Sequence, residues 1–185
     1  MGRKEPNYNK LCVYDTETTG ISPNYIISLA YIAVENNKIV DKGMIICNPD
    51  YPISEGASKV NGFTYENTKD KPLFPEEWEK IKHHFEDAIL IAHNSSFDVR
   101  ALNLEFERYH LPKPDFYVCD TCANAKKLIK KGTAEGQVIN YKLGTLCDFF
   151  NIKLSNWHHA DADTEACMKV FNELVKLSNG NLEIE

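Results

Sequence analysis

The sequence predicts a single α/β domain, in which helices flank a mixed sheet of about five strands. Three β-rich segments follow one another in the first part of the chain, and short apolar runs then alternate with helical patterns. A length of 185 residues and a hydrophobic content of 43% are typical of one globular domain. We expect a polar tail over residues 1–10, the domain over 11–178 and a second tail over 179–185.

The first half of the chain is expected to contain three strands and two helices. The strand segments are rich in β-branched, alanine and aromatic residues, and a turn at Asn36-Asn37 joins the second strand to the third. Ser54 is placed to cap a short helix that ends before Gly62, and the apolar residues of the next helix recur at helical spacing. The predicted strands cover residues 11–14, 25–35 and 38–47, and the predicted helices cover 54–60 and 75–85.

The second half begins with a continuous apolar run over 88–92, which is typical of a buried central strand. A helix capped by Ser95 or Ser96 follows, and the last predicted strand covers 116–119. Asp120 is placed to cap the helix after that strand. The predicted helices of this half cover residues 96–111, 121–130, 143–150 and 161–177.

The overall composition narrows the classes of function. A formal net charge of −6 argues against a protein that coats long nucleic acid, because such binding depends on many Lys and Arg contacts to phosphates. An enzyme that grips only a strand end is not excluded, because bound metal ions supply positive charge. No apolar stretch approaches the roughly 20 residues that span a bilayer, and the N-terminus has no signal-peptide pattern. We therefore expect a cytoplasmic protein with no membrane partner.

The six cysteines are expected to be free thiols. Most of them lie in apolar segments, where a reduced cysteine acts as a small buried hydrophobe. Cys119 and Cys122 have the spacing of half a zinc or redox motif, but no second pair with matching spacing accompanies them. We therefore interpret these two cysteines as structural.

The most informative segment is Asp15-Thr16-Glu17-Thr18-Thr19-Gly20, directly after the first apolar run. Side chains alternate along a strand, so the carboxylates of Asp15 and Glu17 point to one face and repel each other. A hard divalent cation such as Mg²⁺ or Mn²⁺ relieves that repulsion and prefers oxygen ligands. A solvated acidic turn closed by Gly20 is the alternative for this segment taken alone.

Two further acidic segments provide candidate partners for this pair. Asp98 follows the central strand within the first turn of a helix, at the carboxyl end of the sheet, where α/β folds bind ligands. Asp163 lies near the start of the last helix, just after His158 and His159. Either segment alone also suits helix capping on a solvated surface. Together, the four carboxylates are enough to hold two divalent ions roughly 3.5–4 Å apart, and a histidine can act as general base.

Three motifs in this sequence resemble those of the DEDDh exonucleases. This RNase H-like 3′→5′ exonuclease family includes the proofreading ε subunit of bacterial DNA polymerase III. The motifs are VYDTETTG at 13–20, AHNSSFDVRAL at 92–102 and HHADADTEA at 158–166. The resemblance covers 11–177 and implies an RNase H-like five-stranded sheet. Shorter segments that are also similar to the family are VNGFT at 60–64, CDT at 119–121 and YKLGTLCDFFNI at 141–152.

The resemblance implies a two-metal site on the four acidic residues. Asp15, Glu17, Asp98 and Asp163 would ligate two Mg²⁺ or Mn²⁺ ions, with Asp15 bridging both ions and Glu17 supporting one. Such ions activate a water molecule and stabilise the departing 3′-oxygen, so the expected product is a nucleoside 5′-monophosphate.

The resemblance also implies the identity of the general base. Of the two adjacent histidines, His158 lies five residues before Asp163, as in the family, and is therefore the expected base. His159 occupies a position that varies among relatives, and it stays as the alternative. Asp161, where relatives commonly have an apolar residue, adds a charge near this site.

The residues that receive the 3′-terminal nucleotide are also implied by the resemblance. Thr18 begins this surface, and Val60, Asn61 and Phe97 are candidates to wedge against or stack on the last bases. A core aromatic role is the alternative for Phe97. Many proofreading relatives carry His in place of Asn61, so the wedge is expected to be weaker or suited to another substrate.

The function implied by the resemblance is a metal-dependent 3′→5′ exonuclease acting on single-stranded or mispaired DNA ends, as in proofreading, DNA replication and DNA repair. The Thr-Thr-Gly ending of the first motif favours DNA. An exoribonuclease or oligoribonuclease is the alternative, because the choice depends on contacts to the 2′-OH. A non-catalytic polymerase-docking module is a further alternative, against which the complete set of carboxylates argues. Association with a polymerase fits the resemblance, but no segment of the sequence supports it.

Overall fold

The computed structural model describes residues 6–153 and 160–185. Within these ranges the chain forms five strands and seven helices. The strands are β1 (Lys10–Thr18), β2 (Ile26–Glu35), β3 (Lys38–Ile46), β4 (Ile89–Ala92) and β5 (Tyr117–Asp120). The helices are α1 (Glu55–Asn61), α2 (Tyr65–Thr68), α3 (Phe74–Phe85), α4 (Ser96–Arg108), α5 (Thr121–Leu128), α6 (Leu143–Phe149) and α7 (Ala160–Leu177).

The five strands form one mixed sheet in the order β3-β2-β1-β4-β5. The first three strands pair antiparallel as a meander, and β4 pairs parallel to both β1 and β5. The carboxyl ends of β1, β4 and β5 therefore meet at one edge of the sheet. The predicted α/β fold with a mixed five-stranded sheet flanked by helices is confirmed.

Helices pack on both faces of β1, whose alternate residues point in opposite directions. Tyr14 packs in a cluster with residues of α3 and α4 on one face. Val13 packs in a cluster with Cys167 of α7 on the other face. A third cluster joins α5, α6 and α7 around Leu146 and Val170. Helices from the second half of the chain therefore fix the position of α7 against β1.

The helix boundaries follow the sequence prediction closely, with two differences. Ser54 caps α1 as expected, since its hydroxyl accepts a hydrogen bond from the Ala57 N–H at 3.1 Å. Ser95 occupies the N-cap position of α4, but its hydroxyl donates to Asp120 at 3.1 Å and does not cap the helix. The short helix α2 was not predicted, because one turn is too short to show helical periodicity.

The C-terminal residues do not form the tail that we expected over 179–185. Val118 of β5 and Glu185 exchange two backbone hydrogen bonds, each 2.9 Å long. The side chain of Asn124 also bonds to both backbone groups of Glu183, at 2.8 and 3.1 Å. An edge strand presents backbone N–H and C=O groups that a further segment can pair with. The expectation of a tail was wrong because it considered only the lack of periodicity and not this edge.

The cysteines agree with the expectation of free thiols. All six cysteines are buried and free, including Cys119 and Cys122. Burial raises the pKa of the Cys119 thiol to about 12, which leaves it protonated and unreactive at neutral pH.

Across the described ranges, no helix is both long enough and apolar enough to cross a membrane.

Candidate active site

The site is built where β1 extends beyond its neighbour β4. The two strands pair only over residues 11–13 of β1, so the following residues have no β4 partner. Asp98, in the first turn of α4, lies beside this segment. Its Oδ1 atom accepts hydrogen bonds from the Thr16 N–H at 3.1 Å and from the Thr16 hydroxyl at 2.6 Å. A buried carboxylate thus satisfies the backbone donor that the shorter strand leaves unpaired.

The four predicted carboxylates lie within electrostatic reach of one another. Burial raises the pKa of Asp15 well above its ordinary value, and the charges of Asp98, Glu17 and Asp163 raise it further. Burial likewise raises the pKa of Asp98 to about 7, and the two Thr16 hydrogen bonds act in the opposite direction. The ionised carboxylates therefore repel one another in a partly buried site, and a bound cation would reduce this repulsion.

Asp163 reaches this site from the opposite face of the sheet to Asp98. It lies one turn into α7, whose residue Cys167 packs against the β1 face that carries Asp15. The predicted bases His158 and His159 precede this helix and lie outside the described residues. The structure thus brings the acidic residues together from β1, α4 and α7.

Of the residues predicted to receive the 3′ end, Asn61 and Thr18 contact each other. The Asn61 side-chain amide donates to the Thr18 carbonyl at 3.2 Å, which ties the end of α1 to the end of β1. Val60, next to it, is 68% exposed. Phe97 is half-buried and lies outside the core clusters formed by the described residues, so the core alternative is not supported. The Thr18 hydroxyl donates to the Gly20 carbonyl at 3.0 Å and is buried.

Sequence reasoning missed the role of Asp120, which was expected only to cap α5. Its carboxylate accepts five hydrogen bonds. Two come from the Cys122 and Ala123 N–H groups of α5, at 2.8 and 3.1 Å. The others come from the Asn94 N–H and from the N–H and hydroxyl of Ser95, at 3.0–3.1 Å. One side chain therefore anchors the starts of both helices, and with α4 it positions Asp98.

Glu105 of α4 was also missed. It is 1% exposed, and its Oε1 accepts the Ile26 N–H at 2.8 Å. Ile26 begins β2, where the register between β1 and β2 breaks next to Glu17 and Thr18. Such bulges free backbone donors and are common beside active sites. A buried glutamate in a helix that otherwise packs on the core was the available signal.

Replacing Glu105 by glutamine is expected to remove part of the pH dependence of stability. Burial raises the pKa of Glu105 from 4.5 to about 7, so the folded protein holds this proton more tightly than the unfolded chain. The associated stabilisation is complete below about pH 4.5 and is lost as the pH rises through about 7. As the pH rises from 4.5 to 8, the free energy of unfolding of the variant should increase relative to that of wild type by up to about 3 kcal/mol, measured by urea unfolding. A pH-independent difference would contradict this.

A family model described as exonuclease, RNase_T, matches residues 12–171. The chain is 35% identical over 178 residues to the PolC-type DNA polymerase III of Listeria welshimeri, a match that covers 95% of this chain and 12% of that protein. It is 33% identical over 166 residues to the PolC-type DNA polymerase III of Caldanaerobacter subterraneus, covering 89% and 11% respectively. The chain therefore spans about a ninth of the length of these curated relatives.

Solved exonuclease structures share the fold. Exonuclease X in complex with 5′ overhanging duplex DNA superposes with a TM-score of 0.66 at 24% identity, covering 91% of this chain and 93% of that one. E. coli exonuclease I in complex with a dT13 oligonucleotide superposes with a TM-score of 0.75 at 21% identity, covering 91% and 41%. Exonuclease I was also solved in a zinc-bound form with single-stranded DNA.

The family match confirms the predicted enzyme class, an exonuclease. The relatives identified by sequence are PolC-type polymerases, which agrees with the predicted resemblance to polymerase III proofreading subunits. Because the family model matches most of the chain, this protein belongs to the RNase_T family of exonucleases.

Proposed function

We propose that this chain is a metal-dependent exonuclease that releases nucleoside 5′-monophosphates from the 3′ ends of single-stranded or mispaired DNA. The observation that carries this proposal is the convergence of Asp15, Glu17, Asp98 and Asp163 at one edge of the sheet. Their mutual repulsion is costly to the fold without a cation, which supports a role in binding one.

The donor set suits Mg²⁺ or Mn²⁺, because all four groups are hard carboxylate oxygens. Thr16 donates two hydrogen bonds to the Oδ1 atom of Asp98 and so holds this carboxylate in place. Among the described residues, no three His, Cys, Asp or Glu side chains are grouped closely enough to hold a metal ion in their present positions. Without a cation, the carboxylates repel one another. Binding of a divalent cation would offset this repulsion and would bring the carboxylates closer together.

Two such ions would supply an activated water molecule and stabilisation of the negative charge that develops on the phosphate. The chain's own residues would position the scissile bond and accept the proton of the attacking water. In this proposal Asp15, Glu17, Asp98 and Asp163 would hold the two ions, and His158 would take the proton from the attacking water. The Asn61 contact to Thr18 keeps Val60 beside the end of β1, and Phe97 precedes Asp98 in α4, so both would be available to contact the last bases.

The preference for DNA is supported by the PolC-type relatives and by exonuclease structures solved with DNA. We extend the same reasoning to a role in proofreading, replication or repair, in which the 3′ end reaches this site from a polymerase. A polymerase partner is part of the proposal, since the relatives identified by sequence are PolC-type DNA polymerases.

The proposal is tested by comparing DNA and RNA oligomers of the same sequence, each labelled at the 5′ end. With Mg²⁺ we expect stepwise shortening from the 3′ end, release of 5′-monophosphates and a kcat/KM for DNA at least about tenfold higher than for RNA, a preference of about 1.4 kcal/mol. EDTA should abolish the reaction, and the Asp15→Asn protein controls for contaminating nucleases. Higher kcat/KM on RNA would identify an exoribonuclease, and no hydrolysis with either Mg²⁺ or Mn²⁺ would identify a non-catalytic module.

A further inference from the structure

Positive charge is concentrated in one part of an otherwise acidic chain. Residues 121–142 contain five lysines and one glutamate, whereas the whole chain has a net charge of −6. This segment comprises α5 and the loop that leads to α6. A run of lysines usually forms a solvated surface. Whether these lysines instead form a binding surface depends on their ion pairs and their position.

Four of these lysines, Lys126, Lys130, Lys131 and Lys142, are here called the lysine patch. All four are exposed, and within the described ranges no carboxylate forms an ion pair with any of them. Many lysines elsewhere on the surface are neutralised by a nearby glutamate. These paired lysines are Lys42, Lys59, Lys69, Lys80, Lys82, Lys127 and Lys176. The patch therefore keeps its charge available for a partner.

The patch begins at the sheet edge that carries the active site. His93, directly after β4 and five residues before Asp98, donates from Nε2 to the Tyr141 carbonyl at 2.9 Å. Its Nδ1 then accepts from the Thr121 hydroxyl at 2.8 Å. Lys142 follows Tyr141 in the chain. Burial lowers the pKa of His93, the Tyr141 hydrogen bond and the charge of Asp120 act in the opposite direction, and the nearby charge of Lys126 lowers it. Thr121 and Tyr141, at the two ends of the lysine-rich segment, are thus both hydrogen-bonded to His93, which lies shortly before α4.

The loop that carries the rest of the patch has a defined backbone. The Gly132 N–H donates to the Val138 carbonyl at 2.9 Å, and the Val138 N–H donates to the Lys130 carbonyl at 3.1 Å. The Tyr141 hydroxyl donates to the Ile129 carbonyl at 2.8 Å. Lys130 and Lys131 are therefore presented from a closed loop, and α5, about 12 Å long, separates them from the sheet edge.

We propose that the lysine patch binds the backbone phosphates of the substrate strand upstream of its 3′-terminal nucleotide. The inference rests on the proposed exonuclease function and adds the path of the strand to it. Four carboxylates at the site repel a polyanion, and phosphate contacts by unpaired lysines offset this repulsion without reading sequence. The contact requires a strand several nucleotides long, so it distinguishes long substrates from very short ones.

The test compares two triple variants that remove the same charge. K126Q/K130Q/K131Q removes three patch lysines, and K80Q/K82Q/K176Q removes three paired lysines as a matched control. Each is made in the Asp15→Asn background, and binding to a labelled single-stranded 12-mer is measured by fluorescence anisotropy between 50 and 200 mM salt. If each lysine contacts one phosphate, the slope of log affinity against log salt should weaken by about 2, since single strands give about 0.7 per contact. The control variant should have the same salt slope as the Asp15→Asn protein without further substitutions.

Steady-state kinetics in the otherwise wild-type protein provide a second readout. For the patch variant, KM for the 12-mer should rise about tenfold at 100 mM salt, and KM for a dinucleotide should change much less. Equal salt slopes for the two triple variants, or equal increases in KM for long and short substrates, would overturn the inference. Failure of the unmodified protein to cleave either substrate would instead refute the proposed function.

Discussion

Replacing Asp15 by asparagine is expected to lower kcat/KM by about 10³-fold or more, a loss of about 4 kcal/mol in transition-state stabilisation. Asp15 has the central position among the four carboxylates, since Asp98, Glu17 and Asp163 all raise its pKa. An amide keeps the shape of the side chain but removes the charge that a divalent cation requires. Hydrolysis of a single-stranded DNA oligomer at saturating Mg²⁺ provides the measurement.

The same substitution should stabilise the metal-free protein, because it removes repulsion among buried acidic groups. We expect a gain of the order of 1 kcal/mol in unfolding free energy with EDTA present at pH 8. Mn²⁺ should raise the melting temperature of wild type but not that of the variant. Asp115→Asn removes the same charge from an exposed loop position and serves as the matched control. If Asp15→Asn retained activity within tenfold of wild type, the proposed metal site would be wrong.

Replacing His158 by alanine is expected to lower kcat about 10²–10⁴-fold, the usual contribution of a general base. Binding of Mn²⁺, followed by calorimetry, should remain close to wild type because the carboxylate ligands are unchanged. In wild type, kcat should rise with pH through about 6.5, where an unperturbed histidine loses its proton. The variant should lose this dependence.

His159→Ala is the matched control for this prediction, since it removes an identical side chain one position away. We expect its kcat to remain within a few-fold of wild type. Loss of activity in His159→Ala together with wild-type kcat in His158→Ala would make His159 the base. Both histidines lie outside the described residues, so this assignment depends on the motif spacing alone.

The sequence predicted the fold well where local patterns carry enough information. A period of two placed Asp15 and Glu17 on one face of β1, and the apolar run before His93 identified the central strand. Asp98 follows the central strand at the carboxyl end of the sheet, where α/β folds bind ligands, and was therefore expected near the first pair.

Contacts that depend on register or on sheet edges were not predicted. No sequence pattern assigned a role to Thr16, yet its N–H and hydroxyl hold Asp98. Asp120 was expected to cap one helix and anchors two. The segment that ends at Glu185 was expected to be a tail and pairs with Val118. In each case a polar group meets a partner that is distant in the sequence.

The sequence alone therefore predicted which side chains carry the chemistry, through residue type and the resemblance to the family motifs, and local periodicity predicted at which ends of the strands they lie. The tertiary structure decided how these groups are held. β1 is longer than β4, β2 contains a bulge and β5 has an open edge, so each leaves backbone donors or acceptors that must find partners. Asp98, Glu105 and the C-terminal segment supply those partners, and no local pattern specifies such pairings in advance.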